Sequence, residues 1–247
     1  MAAETGRPGV DFGARAARYD ELRPPDENWW QLFETLVREG DLRGRRVLEV
    51  GCGTGLLAAA LAARAAARVW AVDAEPRMVA LAKSRGVAAK EAAAESLPFK
   101  DGWFERAVLR LVVHLLDRGR ALPELRRVLA PGGRVAIATF DRSHFDGWWL
   151  NRIFPAVREL DLRRFPEPGQ LCAELREAGF AATRVVRVSQ RRELTRAEAL
   201  ARVHGRHISS FDLLTADELA EGTARAEREL PDRVEVRLEW ALALAET

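Results

Sequence analysis

Residues 47–55, Val-Leu-Glu-Val-Gly-Cys-Gly-Thr-Gly, constrain the fold of this chain more than any other stretch. A short apolar run, Val47 to Val50, leads straight into glycines at 51, 53 and 55, and the alanine-rich segment Leu56 to Ala67 follows as a helix. Glycine permits the tight turn from strand to helix and lets backbone approach a ligand closely. The helix start then offers N–H groups that no preceding turn satisfies. Val69 to Val72 reads as a second strand, and Asp73 closes it about 20 residues past the glycines, where an acid can accept from ribose hydroxyls. Together these features point to a ligand containing adenosine.

The alternation continues. Glu75 to Arg85 reads as a helix with Pro76 in its first turn and Gly86 at its end. Val87 to Ala93 is a third strand with little β character, Phe104 to Val113 a fourth, Ala121 to Leu129 a helix, and Arg134 to Phe140 a fifth strand after the Pro131-Gly132-Gly133 turn. Strands separated by helices of about ten residues imply parallel βαβ units. Gln170 to Ala178 adds a helix and Thr183 to Val188 a strand. In the last strand Val234, Val236, Leu238, Trp240, Leu242 and Leu244 alternate with polar or small residues, which suggests antiparallel pairing. The expected architecture is a doubly wound α/β sheet of seven strands, mostly parallel, with the last antiparallel. Its ligand should sit beyond the carboxyl ends of the first strands, where strand order reverses.

The chain of 247 residues fits one domain. Within it, residues 12–40 (helices Phe12 to Leu22 and Asn28 to Glu39) are expected as an N-terminal helical lid, and 41–140 as the ligand-binding core. The aromatic segment 141–168 and the helical segment 190–232 are expected as insertions on the substrate side. Thr195 with Glu198, and Thr215 with Glu218, have the spacing of capping boxes.

Composition excludes several classes. Net charge is +2, and basic residues are scattered among acids rather than gathered into a stripe with interleaved aromatics, so no nucleic-acid partner is expected. Two cysteines, Cys52 and Cys172, supply neither a disulfide framework nor a zinc spacing, and no metal is expected. No apolar run approaches the roughly 18 residues of a membrane span, and no signal pattern opens the chain. A cytoplasmic protein is expected.

Glycine spacing discriminates between ligands. A dinucleotide fingerprint is Gly-x-Gly-x-x-Gly, cradling a pyrophosphate, whereas this chain has Gly51-x-Gly53-x-Gly55 with Glu49 two residues ahead. A carboxylate there repels a pyrophosphate but can hold a cationic amino group. An amino-acid-bearing nucleoside is favoured over NAD.

The segment resembles motif I of the class I S-adenosylmethionine-dependent methyltransferases, especially the small-molecule group that includes ubiquinone/menaquinone-biosynthesis enzymes. Ala71 to Met78 resembles the end of that family's second strand and the following helix start. Ala94 to Phe99 resembles the loop beside its adenine, Phe104 to Leu116 its fourth strand, and Leu129 to Gly133 the turn into its fifth. Tyr19-Asp20 with Arg23 is similar to its N-terminal signature. The resemblance covers about residues 12–140 and implies a Rossmann-like fold, S-adenosylmethionine as cofactor, S-adenosylhomocysteine as product, and a small-molecule methyl acceptor.

It further implies a cofactor site of Tyr19, Arg23, Glu49, Gly51, Cys52, Gly53, Gly55, Asp73, Ala74, Met78, Ala94, Glu95, Ser96, Arg110 and Leu111. Glu49 and Gly51 would lie near the methionine part, Asp73 at the ribose, Ala74, Ala94 and Glu95 around the adenine, and Leu111 near the sulfonium. Two positions depart from the family. Ala93 stands where Asp is frequent, and Arg110 where a small residue is usual, free either to reach a substrate carboxylate or to snorkel outward.

His114 follows the fourth strand and matches a frequent family histidine. It reads either as a general base or as a structural histidine, since methyl transfer often needs only alignment and exclusion of water. Phe145, Trp148 and Trp149, with Phe140 and Phe154, form an aromatic cluster that is either core or an apolar substrate wall. His204 and His207, three apart, would share a helix face and contribute to the substrate lid. The rival readings are an NAD(P)-dependent oxidoreductase, a catalytically silent S-adenosylmethionine-binding protein and, less favoured, a nucleic-acid methyltransferase. Fold alone does not choose among them.

Overall fold

The structure is a computed structural model that describes residues 10–21 and 24–247. One sheet in the order β3-β2-β1-β4-β5-β7-β6 organises it. Its parallel strands are β1 (Arg46–Val50), β2 (Arg68–Asp73), β3 (Ala88–Glu91), β4 (Phe104–Arg110) and β5 (Leu129–Phe140). β7 (Arg233–Glu246) is inserted between β5 and β6 (Thr183–Thr195) and runs antiparallel to both. The doubly wound, seven-stranded arrangement is the one expected, with the reversal in strand order falling between β1 and β4.

Helices cover both faces. On one, α2 (Glu27–Glu39) buries Trp29, Leu32, Phe33, Leu36 and Val37 beside Leu57 and Leu61 of α3 (Leu56–Ala65), against Val47, Val108 and Leu242. Apolar residues recurring at 29, 32, 33, 36 and 37 make one continuous stripe, each large side chain contributing ~1.5–3 kcal/mol on burial. The other face holds α5 (Arg118–Val128) and α9 (Pro168–Glu177), whose Leu122, Leu125, Leu171 and Leu175 pack on Leu109, Val135 and Ile137. α4 (Pro76–Ser84) starts from a Glu75 cap and leans on β2 and β3.

A third apolar cluster forms the cap. It joins α6 (Arg142–Gly147), α7 (Leu150–Ile153), α8 (Pro155–Arg164), α10 (Arg196–His204) and α11 (Ala216–Glu229) around Phe145, Phe154, Phe165 and Phe211. Both Thr195 and Thr215 make reciprocal capping boxes with Glu198 and Glu218. No helix of the described residues is long and apolar enough to cross a membrane.

Several elements differ from expectation. The first helix, α1, spans only Phe12–Ala16, and residues 17–21 form turns because Asp20 is drawn to Thr54 and Arg85; Leu22 lies outside the described residues. Helix α2 packs on the sheet through Leu32, Phe33 and Leu36, while its start at Asn28 and Trp29 lines a cavity. β4 stops at Arg110, where Leu111 turns into the left-handed region at φ 54°. The Pro131-Gly132-Gly133 turn lies within β5 as an irregularity, since Phe104 pairs with Leu129 and Arg106 with Arg134. The largest change is β6, which continues to Thr195, so Gln190 to Thr195 is strand and the helical cap begins at Arg196. Its charged alternation carries no apolar stripe. Cross-strand partners from β7, Gln190 against Leu238 through Thr195 against Arg233, supply what local sequence lacks.

Candidate active site

The glycine loop projects from β1 at the reversal point. Gly53 takes φ 53°, and a Cβ there would meet nothing within 4 Å, so this position leaves open space above the loop. Gly55 serves a different end. It caps α3 at φ 78°, and a Cβ would stand 2.8 Å from the Ala82 Cβ, so it is a close-packing glycine rather than part of a cavity wall. Asp73 fixes the loop: its Oδ2 accepts from the Gly53 N–H at 2.7 Å and its Oδ1 from the Glu75 N–H at 3.0 Å. Burial raises the Asp73 carboxyl above its ordinary range despite those bonds.

A cleft of about 640 Å³ opens over this loop, lined by Gly51, Gly53, Asp73, Ala74, Met78 and the 92–95 segment. Glu95 lines it while its Oε1 accepts from the Asp117 N–H at 2.9 Å. Ser96 falls outside the lining and donates its N–H to the Ala93 carbonyl at 3.2 Å.

A second cavity adjoins the first, the two sharing Tyr19, Gly51, Gly53, Arg110 and Leu111. Cys52 and Glu49 line it. Burial raises the Cys52 thiol well above its ordinary value, which disfavours the thiolate. Glu49 is 3% exposed, and its Oε2 has no hydrogen-bond partner among the described residues. Burial pushes its carboxyl up to about 8, against the opposing pull of the Arg110 guanidinium. Arg110 lies 5.7 Å from the Trp29 ring centroid and 5.6 Å from that of Trp240, a cation between two aromatic faces.

The N-terminal strap closes over both cavities. Tyr19 lines each of them; next to it Asp20 accepts from the Thr54 hydroxyl at 2.7 Å and pairs with Arg85. Arg15 on α1 reaches the cap, holding both Asp212 oxygens at 2.9 and 2.8 Å. Arg23 lies outside the described residues.

On the cap side, His114 stacks on Phe165 with ring centroids 3.9 Å apart. Both line a small aromatic pocket with Phe140, Phe145 and Trp148, and Trp149 lines the adjoining second cavity. Phe145, 1% exposed, also belongs to the cap core, so the aromatic cluster is core and wall at once. The histidine pair separates. α10 ends at His204, which is exposed and pairs with Glu227 at 3.1 Å. Arg206 at φ 50° breaks the helical spacing, and only His207 lines the cavity, its Nδ1 3.1 Å from the Arg202 carbonyl oxygen.

Among the lining residues that sequence reasoning missed, four carry polar groups of note. Gln190 ties three elements together: its Nε2 donates to the Asn28 carbonyl at 2.7 Å and to Gln31 at 2.8 Å, and its Oε1 accepts from the Trp240 indole at 2.9 Å. Arg192 pairs with Asp26, the cap of α2. Asp161, pushed by burial to about 6, accepts from the Ser210 hydroxyl at 2.6 Å on the floor of the aromatic pocket. His144 is the fourth. No local motif marks any of them.

Two adjoining cavities thus sit over the glycine loop of a Rossmann-like sheet, where strand order reverses. A methyltransferase domain model matches residues 48–137. The chain is 35% identical over 202 residues to a demethylmenaquinone methyltransferase of Thermus thermophilus, covering 69% of this chain and 91% of that one. It is 35% identical over 144 residues to a ubiquinone/menaquinone biosynthesis C-methyltransferase of Bordetella avium, but there spans only 56% of the relative's length and 53% of its own. Among solved structures, it is similar to a protein of Anabaena variabilis described as a methyltransferase of an antibiotic biosynthesis pathway. The TM-score is 0.74 at 20% identity, over 91% of this chain and 98% of that one, a likeness of fold. The chain belongs to the class I S-adenosylmethionine-dependent methyltransferases and is similar to their ubiquinone/menaquinone-biosynthesis group.

Proposed function

We propose that this protein transfers a methyl group from S-adenosylmethionine to an O, N or C atom of a small molecule, acting as a cytoplasmic enzyme. The observation that carries the reading is the buried Glu49, whose Oε2 is unpartnered among the described residues, in a cavity that joins through Gly51 and Gly53 the cleft lined by Asp73. Two carboxylates on either side of the glycine loop suit a ligand with a cationic amino group at one end and ribose hydroxyls at the other. A pyrophosphate would meet a carboxylate instead.

In this reading Glu49 holds the ammonium, the open backbone at Gly53 admits the amino-acid chain, and Asp73 accepts from the ribose hydroxyls. Ala74, Met78, Ala94 and Glu95 enclose the adenine, with Glu95 kept in place by its bond to the Asp117 amide. Bound S-adenosylmethionine supplies an electrophilic methyl group. Tyr19 and Leu111, which line both the cofactor cleft and the aromatic pocket, align the acceptor and keep water out. His114, in the wall of that pocket, takes the proton that the acceptor gives up.

The test is calorimetric titration with S-adenosylhomocysteine, with NADH and NADPH run alongside, on wild type and Asp73→Ala. S-adenosylhomocysteine should bind and the dinucleotides should not. Loss of hydrogen bonds to a charged carboxylate should weaken binding by about tenfold or more in the variant. Dinucleotide binding without S-adenosylhomocysteine binding would replace methyl transfer with redox chemistry.

A further inference from the structure

We propose that His144 is a recognition residue of the acceptor pocket, presenting a ring nitrogen to a hydroxyl or amine donor on an aromatic acceptor. The proposal rests on the methyltransferase reading of the adjoining cleft and adds the class of acceptor.

His144 lies on α6, directly after β5. Asp141 caps this helix through the Ser143 N–H at 3.1 Å, and the His144 N–H donates to the Asp141 carbonyl at 3.0 Å. The backbone is therefore fixed where the ring must turn inward. The ring lies almost parallel to Phe140 with centroids 4.0 Å apart, tilts against Trp148 at 5.0 Å and meets Phe145 edge-on at 5.1 Å. It is 1% exposed yet lines the second cavity; neither ring nitrogen makes a well-formed hydrogen bond among the described residues, and the Arg237 backbone is the one polar group felt by the ring.

A buried imidazole with at least one nitrogen unsatisfied is costly, because that polar atom gives up water and gains nothing. Packing does not require it. Phenylalanine would fill the same aromatic stack without that cost, so the nitrogens answer to something other than the core. Burial lowers the ring to about 4, which keeps it neutral, and the Arg237 carbonyl favours an N–H on one side. A neutral imidazole with one nitrogen protonated offers the other as an acceptor. The matching group is a donor on the ligand.

The surrounding wall defines the rest of that ligand. Phe140, Trp148, Trp149 and Trp240 line the same cavity, a set of flat faces suited to a ring. Asn28 Nδ2, Arg192 Nε and Glu49 Oε2 also lack partners in this cavity among the described residues, but the first two belong to side chains beside α2, and Glu49 belongs to the cofactor's ammonium in the present reading. His144 belongs to α6 on the cap side, so it and Glu49 serve two different molecules.

Equilibrium dialysis of the S-adenosylhomocysteine-loaded protein against 2-naphthol and naphthalene tests this. Wild type should bind 2-naphthol about tenfold more tightly than naphthalene, the value of one well-made hydrogen bond in a dry site. His144→Phe, which keeps the aromatic stack, should bind the two alike while retaining S-adenosylhomocysteine affinity. A readout on wild type alone accompanies it. Among the four histidines, one ring nitrogen should shift in the ¹⁵N spectrum on adding 2-naphthol and stay unmoved with naphthalene. Equal binding of both probes by wild type, a preference that survives in the variant, or no binding of 2-naphthol with S-adenosylhomocysteine bound, each overturns the proposal and leaves the cofactor reading intact. Failure of S-adenosylhomocysteine itself to bind removes that reading, and the proposal with it.

Discussion

In the proposed reading, Glu49 makes cofactor binding a proton-linked event. In the ligand-free protein burial holds its carboxyl at about 8, well above the ordinary 4.5, with Arg110 pulling down and Asp73 pushing up. An ammonium placed against Oε2 favours the carboxylate and returns the value toward the ordinary range. Below about pH 8 the ligand must therefore expel a proton, and apparent affinity should rise about tenfold per unit between about pH 6 and 7, levelling above 8. At about pH 7 close to nine-tenths of a proton should leave per ligand bound. Calorimetry of S-adenosylhomocysteine in buffers of differing ionisation enthalpy reads both quantities. Glu49→Gln should bind weakly and without the slope. The sign for stability is fixed by the same shift: between 4.5 and about 8 the ligand-free folded state holds the extra proton, so its stability falls as pH rises through that window. Glu49→Gln should remove this decline as well. A pH-independent affinity in wild type, or an unchanged slope in the variant, refutes the assignment of the ammonium to Glu49.

Two further outcomes test the scaffold. Gly55→Ala places a Cβ 2.8 Å from Ala82 at φ 78°, combining left-handed strain with overpacking. A loss of about 2–4 kcal/mol is expected, read as a lower urea midpoint with an unchanged m-value. The Arg15–Asp212 pair, with side chains only 12% and 17% exposed, clamps α1 to the cap. Arg15→Ala and Asp212→Ala should each speed S-adenosylhomocysteine dissociation in stopped flow, and the double variant should be no faster than the singles. Additive effects would show that the two residues act separately.

The cofactor half was legible because its information is local. Strand, glycines, helix and Asp73 lie within residues 47–73, and each residue type follows from a turn, a close approach or a charge. Even there, sequence could not distinguish the open position Gly53 from the packing position Gly55, since both spacings are those of one motif. The acceptor half was legible only as aromatic richness. His144 looks like any helix residue until Phe140, Trp148 and β7 surround it. Asp161 gains its partner from Ser210, 49 positions away, and Gln190 gains Asn28 across 162. The histidines at 204 and 207 misled in the opposite direction, because helical spacing matters only while the helix continues, and this one stops at His204.

The length of β6 and β7 explains how this acceptor half comes to exist. β7 pairs with β5 only from Trp240 to Glu246, while its pairing with β6 continues to Arg233. Residues 233–239 and 189–195 therefore form a two-stranded ribbon that extends past the C-terminal end of β5. An isolated ribbon is marginal in water, and this one is stabilised by what it carries. Leu194, Val234 and Val236 enter the cap core with α10 and α11, while Leu238 and Trp240 line the cavity and Gln190 locks the ribbon's base to α2. Cap core and acceptor wall thus run along one face of the ribbon, with Val236 and Leu238 belonging to both. Substitutions inside the cap core should alter acceptor affinity while leaving S-adenosylhomocysteine binding, which rests on β1 and β2, unchanged. Such a separation lets one cofactor scaffold serve different acceptors by changes confined to the ribbon and the helices it supports.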